Sequence, residues 1–249
     1  MRYFLEIAYH GRDFAGFQVQ LNAHTIQEEV EKALAVFCKT PISLTGSSRT
    51  DAGVHARQNF FHFDTELELG PKQLYNLNAI LPKSIAALSL RKMPDDAHSR
   101  FDASGRLYKY YLVASKSPFY NDRAWFYPYP LNLNLLNEAA SSILGKHDFT
   151  SFSKRNTQVK TMDCTISRSN WDYEGNLLVY TVQGNRFLRG MVRGLVATML
   201  RVGRGVLTVD GFTQVLEAQD CSKADFSAPP HGLFLEQVIF PEGYFGNAE

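Results

Sequence analysis

Twice along this 249-residue chain the spacing of apolar residues passes from two to about 3.6 and back in the same order. That repeat of order restricts the fold more than any single motif does. Tyr3, Leu5, Ile7 and Tyr9 alternate, as one face of a strand requires. Thr25 with Glu28 is a capping-box signature, and Ile26, Val30, Leu34 and Phe37 follow at helical spacing. Two strands are expected near residues 42–47 and 58–64, the second with Phe61 and Phe63 on one face, and a polar segment, 48–57, joins them. A helix opened by Pro71 and stopped before Pro82, then a strand over 85–93, completes the series. Strand, helix, strand, strand, helix, strand is the split βαβ order of ferredoxin-like domains.

The same order recurs after a turn-rich stretch at 94–105. Tyr108, Tyr110 and Leu112 alternate, and a helix runs from about Asn134 until Gly145 stops it. Strands near 160–171 and 177–183 flank the turn Glu174-Gly175-Asn176. A broad apolar face from Phe187 to Val202 predicts a helix ending at Gly203, followed by a helix near 209–218 and a strand near 232–240. The expected fold is therefore α+β, with two pseudo-symmetric ferredoxin-like βαββαβ halves, residues 1–104 and 105–249.

Composition narrows the function. Lys and Arg number 26 against 25 Asp and Glu, a net charge of +1, so a polyanion would have to be held by a local basic surface. Cys38, Cys164 and Cys221 are far apart and odd in number, which suggests neither a disulfide framework nor a thiolate zinc site and makes a reducing cytoplasm the expected compartment. No apolar stretch approaches the length of a membrane span. Phosphate-binding loops of the Walker kind, Gly-x-Gly-x-x-Gly, His-Glu-x-x-His and Cys-x-x-Cys are all missing from the sequence, which argues against NTPase, dinucleotide and standard zinc chemistry.

Three segments carry chemical potential. The first, Gly46-Ser47-Ser48-Arg49-Thr50-Asp51-Ala52-Gly53-Val54-His55-Ala56, is a dense polar loop between two strands. As a plain connection, Asp51 would cap a turn and pair with Arg49. As a site, a carboxylate fixed on a strand-bounded loop beside small residues could act as nucleophile or general base. The second contains Arg186, Arg189 and Arg193 at three- and four-residue spacing, expected on one helical face, and no acid falls between Glu174 and Asp210. It reads either as a solvated face or as a phosphate contact, which the guanidinium fork suits. The third, around Tyr108 and Tyr110, alternates aromatic and basic residues and reads either as a half-buried core strand or as a base-stacking platform. The histidines lack metal-ligand spacing, so no metal site is expected.

Together these segments resemble the tRNA pseudouridine synthase A (TruA-type) family along nearly the whole chain. The residues carrying the resemblance are 9–20 with 25–27, the loop 49–56, the strand 100–110, Gly145-Lys146-His147-Asp148-Phe149, Met191-Val192-Arg193 and the tail 228–233. Ser48 stands where a glycine is commoner, and Phe17 where tryptophan is expected. The resemblance implies an isomerase without cofactor, metal or nucleotide that converts uridine to pseudouridine at positions 38 to 40 of the tRNA anticodon arm. It implies two α+β halves sharing an extended mixed or antiparallel sheet, a cleft between them, and a homodimer holding tRNA. By motif position, Asp51 is the catalytic aspartate, Tyr108 the active-site tyrosine, Arg193 the partner of the aspartate and Arg49 a residue that helps turn the base out. Arg186, Arg189 and Tyr110 are expected to touch the RNA. Two other readings of the same residues are a non-catalytic RNA-binding module and a hydrolase using Asp51 with His55.

Overall fold

The computed structural model describes residues 1–155 and 159–246; the side chain of Phe37, expected on the apolar face of the first helix, lies outside the described residues. Packing divides the chain into two units, one made of Met1–Ser104 with Leu235–Glu249 and the other of Gly105–Phe234.

In the first unit, β1 (Arg2–Tyr9), α1 (Ile26–Cys38), β2 (Thr45–Gly46), β3 (His55–Asp64), α2 (Pro71–Ile80) and β4 (Ile85–Met93) follow one another. β1 lies antiparallel between β3 and β4, and β2 pairs antiparallel with β3, the strand arrangement of a ferredoxin-like unit. Thr25 caps α1 by accepting from the Glu28 amide, and Lys39 ends it in the left-handed conformation at φ 55°. Tyr3, Leu5, Ile7 and Tyr9 are all buried, as the alternation requires, together with Ile26, Val30 and Leu34 of α1 and Leu77 of α2. The strand expected at 42–47 shrinks to two residues, Thr45 and Gly46, paired with His62 and Phe61 near the end of β3.

The other face of this sheet is also covered. Phe4 contacts Phe240, Tyr244 and Phe245 of the C-terminal segment, Phe60 stacks on Phe245 at 5.7 Å, and the Arg91 guanidinium lies 5.0 Å from the Phe245 ring centre. On that face His62 is buried, with Nδ1 accepting from the Ser99 amide and 2.9 Å from Ser99 Oγ. Burial, reinforced by the His98 ring and Arg2, pushes the His62 imidazole down to about 4. A base whose folded value lies below its unfolded value of about 6.5 favours folding above that value and loses the contribution as pH falls toward the folded value. Urea midpoints are thus expected to fall from pH 6.5 to pH 4, and His62→Gln should flatten the fall. An unaltered pH slope in His62→Gln would remove His62 as its cause.

The second unit follows the strand, helix, strand, strand, helix part of that order, with two short strands and a second closing helix added. It contains β5 (Gly105–Val113), β6 (Trp125–Phe126), α3 (Leu133–Ser141), β7 (Gly145–Asp148), β8 (Asp163–Glu174), β9 (Leu177–Gly184), α4 (Met191–Gly203) and α5 (Val209–Glu217). β9 lies antiparallel between β5 and β8, β7 continues antiparallel beyond the start of β8, and β6 pairs parallel with β5. The final strand, β10 (Leu233–Ile239), contributes Leu233 and Phe234 to this unit and the rest to the first, where it lies beside β3. α4 is almost wholly buried: Trp171 of β8 donates its indole N–H to Met199 Sδ, and a Cβ on Gly203 would lie 2.8 Å from the Leu136 side chain of α3. Two glycines, Gly194 and Gly203, let this helix sit close to its neighbours.

A helix-borne amide closes a free sheet edge in each unit. Asn78 of α2 accepts from the Ala87 amide and donates to its carbonyl on edge strand β4, each at 2.8 Å. Asn137 of α3 does the same for Trp171, at 2.8 and 3.0 Å, beyond the end of β7. Exposed strand edges invite pairing with other chains, and a bonded amide blocks them. Asn137→Ala is expected to lower stability by about 1 to 3 kcal/mol, read as a shift in urea midpoint at constant slope. An unmoved midpoint would mean that water replaces the amide without cost.

Candidate active site

Asp51 sits at the start of a tight turn in the first unit. The Val54 amide donates to the Asp51 carbonyl at 3.2 Å, and Gly53 adopts φ +77° while Ala52 does not enter the left-handed region, the pattern of a type II turn with glycine at its third position. The turn is held from outside by the segment after β1. The Phe17 amide donates to the Thr50 carbonyl at 3.1 Å, the Gly53 amide to the Phe14 carbonyl at 3.3 Å, and the Gly11 amide to His55 Nδ1 at 3.0 Å. These approaches explain two glycines of the 9–20 motif: a Cβ on Gly11 would lie 1.9 Å from the Val54 carbonyl oxygen, and Gly16, at φ +120°, faces the Thr50 carbonyl. Phe17, the residue found in place of the expected tryptophan, is buried and stacks on Phe61 at 4.7 Å. Thr50, Val54 and His55 are buried, Asp51 is half-buried and Arg49 is exposed. The loop thus presents a carboxylate whose backbone is fixed on both sides, as a nucleophile or general base requires.

The second unit holds the other sequence candidates. Tyr108 and Tyr110 share a face of β5, opposite Val182 and Tyr180 of β9. Tyr108 is 8% exposed and meets Phe187 edge to face at 5.0 Å. Tyr110 is fully buried and donates its hydroxyl to the Pro229 carbonyl at 2.7 Å, and a Cβ on Gly232 would lie 2.7 Å from its ring. The expectation that Tyr110 touches RNA is therefore corrected: its ring and hydroxyl are consumed in packing, with burial driving its ionisation well above the ordinary tyrosine range. Arg193 is half-buried, its Nε–H donating to the Ala228 carbonyl at 2.6 Å. The tail motif 228–233 therefore supplies the acceptors that orient Arg193 and Tyr110, a role its sequence did not reveal.

The three arginines do not share a helical face. Gly190, at φ +74°, is the N-cap of α4, so the helix begins at Met191 and only Arg193 belongs to it. Arg186 and Arg189 precede it, half-buried and exposed respectively, because a left-handed residue between them and Met191 breaks the helical path. The Arg189 carbonyl accepts from the Lys154 amide at 3.0 Å, and the Lys154 side chain lies over Gly190. Lys154 was not singled out in the sequence, where it lies far from these arginines. Asn59, at the base of the Asp51 loop, was missed as well, because its strand also carries Arg57, Gln58 and His62 and nothing in that mixed run marks Asn59 as the buried amide. Among the described residues no group of three or more His, Cys, Asp or Glu side chains could hold a metal ion, and no helix is long and apolar enough to cross a membrane.

Comparison with known proteins extends this picture over the whole chain. A family profile described as tRNA pseudouridine synthase matches residues 139–241. A protein of Parabacteroides distasonis named tRNA pseudouridine synthase A is 45% identical over 98% of both chains. Proteins of the same name are 44% identical in Bacteroides fragilis, over 98% of both chains, and 39% identical in Staphylococcus aureus MRSA252, over 99% of this chain and 96% of the relative. With likeness of that extent over nearly its whole length, this chain belongs to the tRNA pseudouridine synthase A family and is an isomerase.

Proposed function

We propose that this chain converts uridine to pseudouridine at positions 38 to 40 of the tRNA anticodon stem-loop, with Asp51 as the catalytic carboxylate. The observation that carries the reading is the Asp51 turn itself: a half-buried carboxylate on a loop whose backbone is bonded on both sides by the 11–17 segment. The reaction breaks the N1–C1′ glycosidic bond and forms a C5–C1′ bond; C5 loses a proton and N1 gains one, so substrate and product have equal mass. A nucleophile, proton transfer and an enclosed base suffice for this, with no redox step.

In this reading Tyr108 packs against the target base. Arg49, exposed beside Asp51, fills the space the base leaves when it is turned out of the stack, and Arg193 is the cation that supports Asp51 during reaction. Arg186 and Arg189 contact phosphates, for which their guanidinium groups are suited. Because the net charge is only +1, a folded RNA is better served by two copies, and a cytoplasmic homodimer is proposed. Sedimentation at micromolar concentration should give twice the mass of one chain, and a single-chain mass would oppose it.

The direct test incubates the protein with unmodified tRNA transcripts and maps pseudouridine by position. Appearance of pseudouridine at 38 to 40 without change of mass supports the reading. Binding without product would favour a non-catalytic RNA-binding module, and release of a free base would favour a hydrolase.

A further inference from the structure

Beneath the Asp51 loop lies a buried polar cluster. Asn59 of β3 is fully buried, and its amide orientation is fixed by partners of opposite kind. The Phe60 amide, which can only donate, bonds Oδ1 at 2.9 Å; the Ser48 carbonyl, which can only accept, receives Nδ2 at 2.9 Å. Ser47 Oγ donates to Oδ1 at 2.9 Å, and Nδ2 also reaches the Tyr9 hydroxyl at 3.3 Å. The Tyr9 hydroxyl, which accepts from Asn59, is also bonded to Thr50 Oγ1 at 2.7 Å, where either oxygen can donate. Ser47, Tyr9 and Thr50 are buried too. The chain Asn59–Tyr9–Thr50 therefore ends on the residue adjoining Asp51, while Asn59 also grips the loop two residues earlier through the Ser48 carbonyl.

Burying this much polarity is unfavourable unless every bond is made, and an apolar residue at position 59 would fill the strand at lower cost. The bonds from Asn59 and Tyr9 to Ser47, Ser48 and Thr50 converge on the path of residues 47–50. We infer that Asn59, Tyr9 and Thr50 are positioning residues for Asp51, a relay that fixes the height and direction of the carboxylate without touching substrate; the inference rests on the proposed role of Asp51. Side chains that lock a loop in this way act on the reacting geometry, where a displacement of about 1 Å can lower the rate about a hundredfold while affinity is spared.

The test compares Thr50→Val, Thr50→Ser, Tyr9→Phe, the double variant Tyr9→Phe/Thr50→Val and Asp51→Ala. Each is measured for single-turnover pseudouridine formation at saturating tRNA and, separately, for tRNA affinity. Tyr9→Phe and Thr50→Val are close in shape to the native residues and keep the packing, whereas Asn59→Leu risks misfolding and is used only if it gives a native thermal transition. The expected result is a rate loss of about tenfold to a hundredfold in Thr50→Val and Tyr9→Phe with tRNA affinity within about threefold. Thr50→Ser, which keeps the hydroxyl, should recover most of the rate. The double variant should be no slower than the worse single one, because both cut the same relay. A native rate in Thr50→Val, equal loss in Thr50→Ser, or multiplicative losses in the double variant would overturn the inference. Loss of activity in Asp51→Ala alongside such a result leaves the Asp51 reading standing, whereas an active Asp51→Ala protein removes that reading first.

Discussion

Asp51→Ala and Asp51→Asn are expected to abolish pseudouridine formation, with a fall of at least about a thousandfold in single-turnover rate and little change in tRNA affinity. Asparagine keeps the shape and removes the charge; alanine removes both. Either change leaves in place the backbone bonds of the turn, which run through the Asp51 and Thr50 carbonyls and the Gly53 and Val54 amides. The loop should therefore keep its conformation in both variants, and thermal unfolding should be close to that of the native protein. Pseudouridine in transcripts is read by position, and affinity by titration under the same conditions. Activity within tenfold of the native protein in Asp51→Ala would end the assignment, since positioning effects do not substitute for a missing covalent catalyst.

A second large effect is expected at Arg193, and it should differ in kind from that at Arg189. Arg193 stands in the first turn of α4 with its Nε–H committed to the Ala228 carbonyl at 2.6 Å, so its guanidinium is held rigidly. Arg189 is exposed and precedes the helix. Arg193→Ala should lower the rate at saturating tRNA by about a hundredfold, the scale for losing a placed charge at a reacting centre. Arg189→Ala should weaken tRNA binding and flatten its dependence on salt by about one counterion while leaving the saturating rate alone. Arg193→Lys keeps a charge but cannot both bond Ala228 through Nε and present a planar fork, so only part of the rate should return. If Arg193→Ala loses affinity and keeps its saturating rate, Arg193 belongs with the phosphate contacts.

Much of this was legible in the sequence because it depends on short-range periodicity and on backbone requirements of single residues. The alternation Tyr3-Leu5-Ile7-Tyr9, the Thr25 cap, the Pro71 start and the Gly203 end all stand where local rules put them. Phe4 was not legible as a core residue: it lies on the face of β1 opposite the Tyr3-Leu5-Ile7-Tyr9 alternation, and it is buried where His62 and, from more than two hundred residues away, Phe240, Tyr244 and Phe245 cover it. The arginine helix failed for a local reason of another kind, since an apolar periodicity from Phe187 onward runs straight through Gly190, and composition alone does not say that this glycine takes φ +74°. Tyr110 shows the same limit, because only the fold reveals that Pro229 and Gly232 enclose it.

The sequence by itself determined the α+β class and the strand and helix order of the first unit, because each depends on residue type and spacing within one segment, and its motifs single out Asp51, Tyr108 and Arg193 as candidates. Tertiary structure alone decided how the Asp51 turn is held. The Gly11, Phe14, Gly16 and Phe17 contacts, the Asn59–Tyr9–Thr50 relay and the Ala228 bond to Arg193 all join residues remote in sequence. Their energies arise from burial and from polar groups that must find partners once water is gone, which no local pattern encodes.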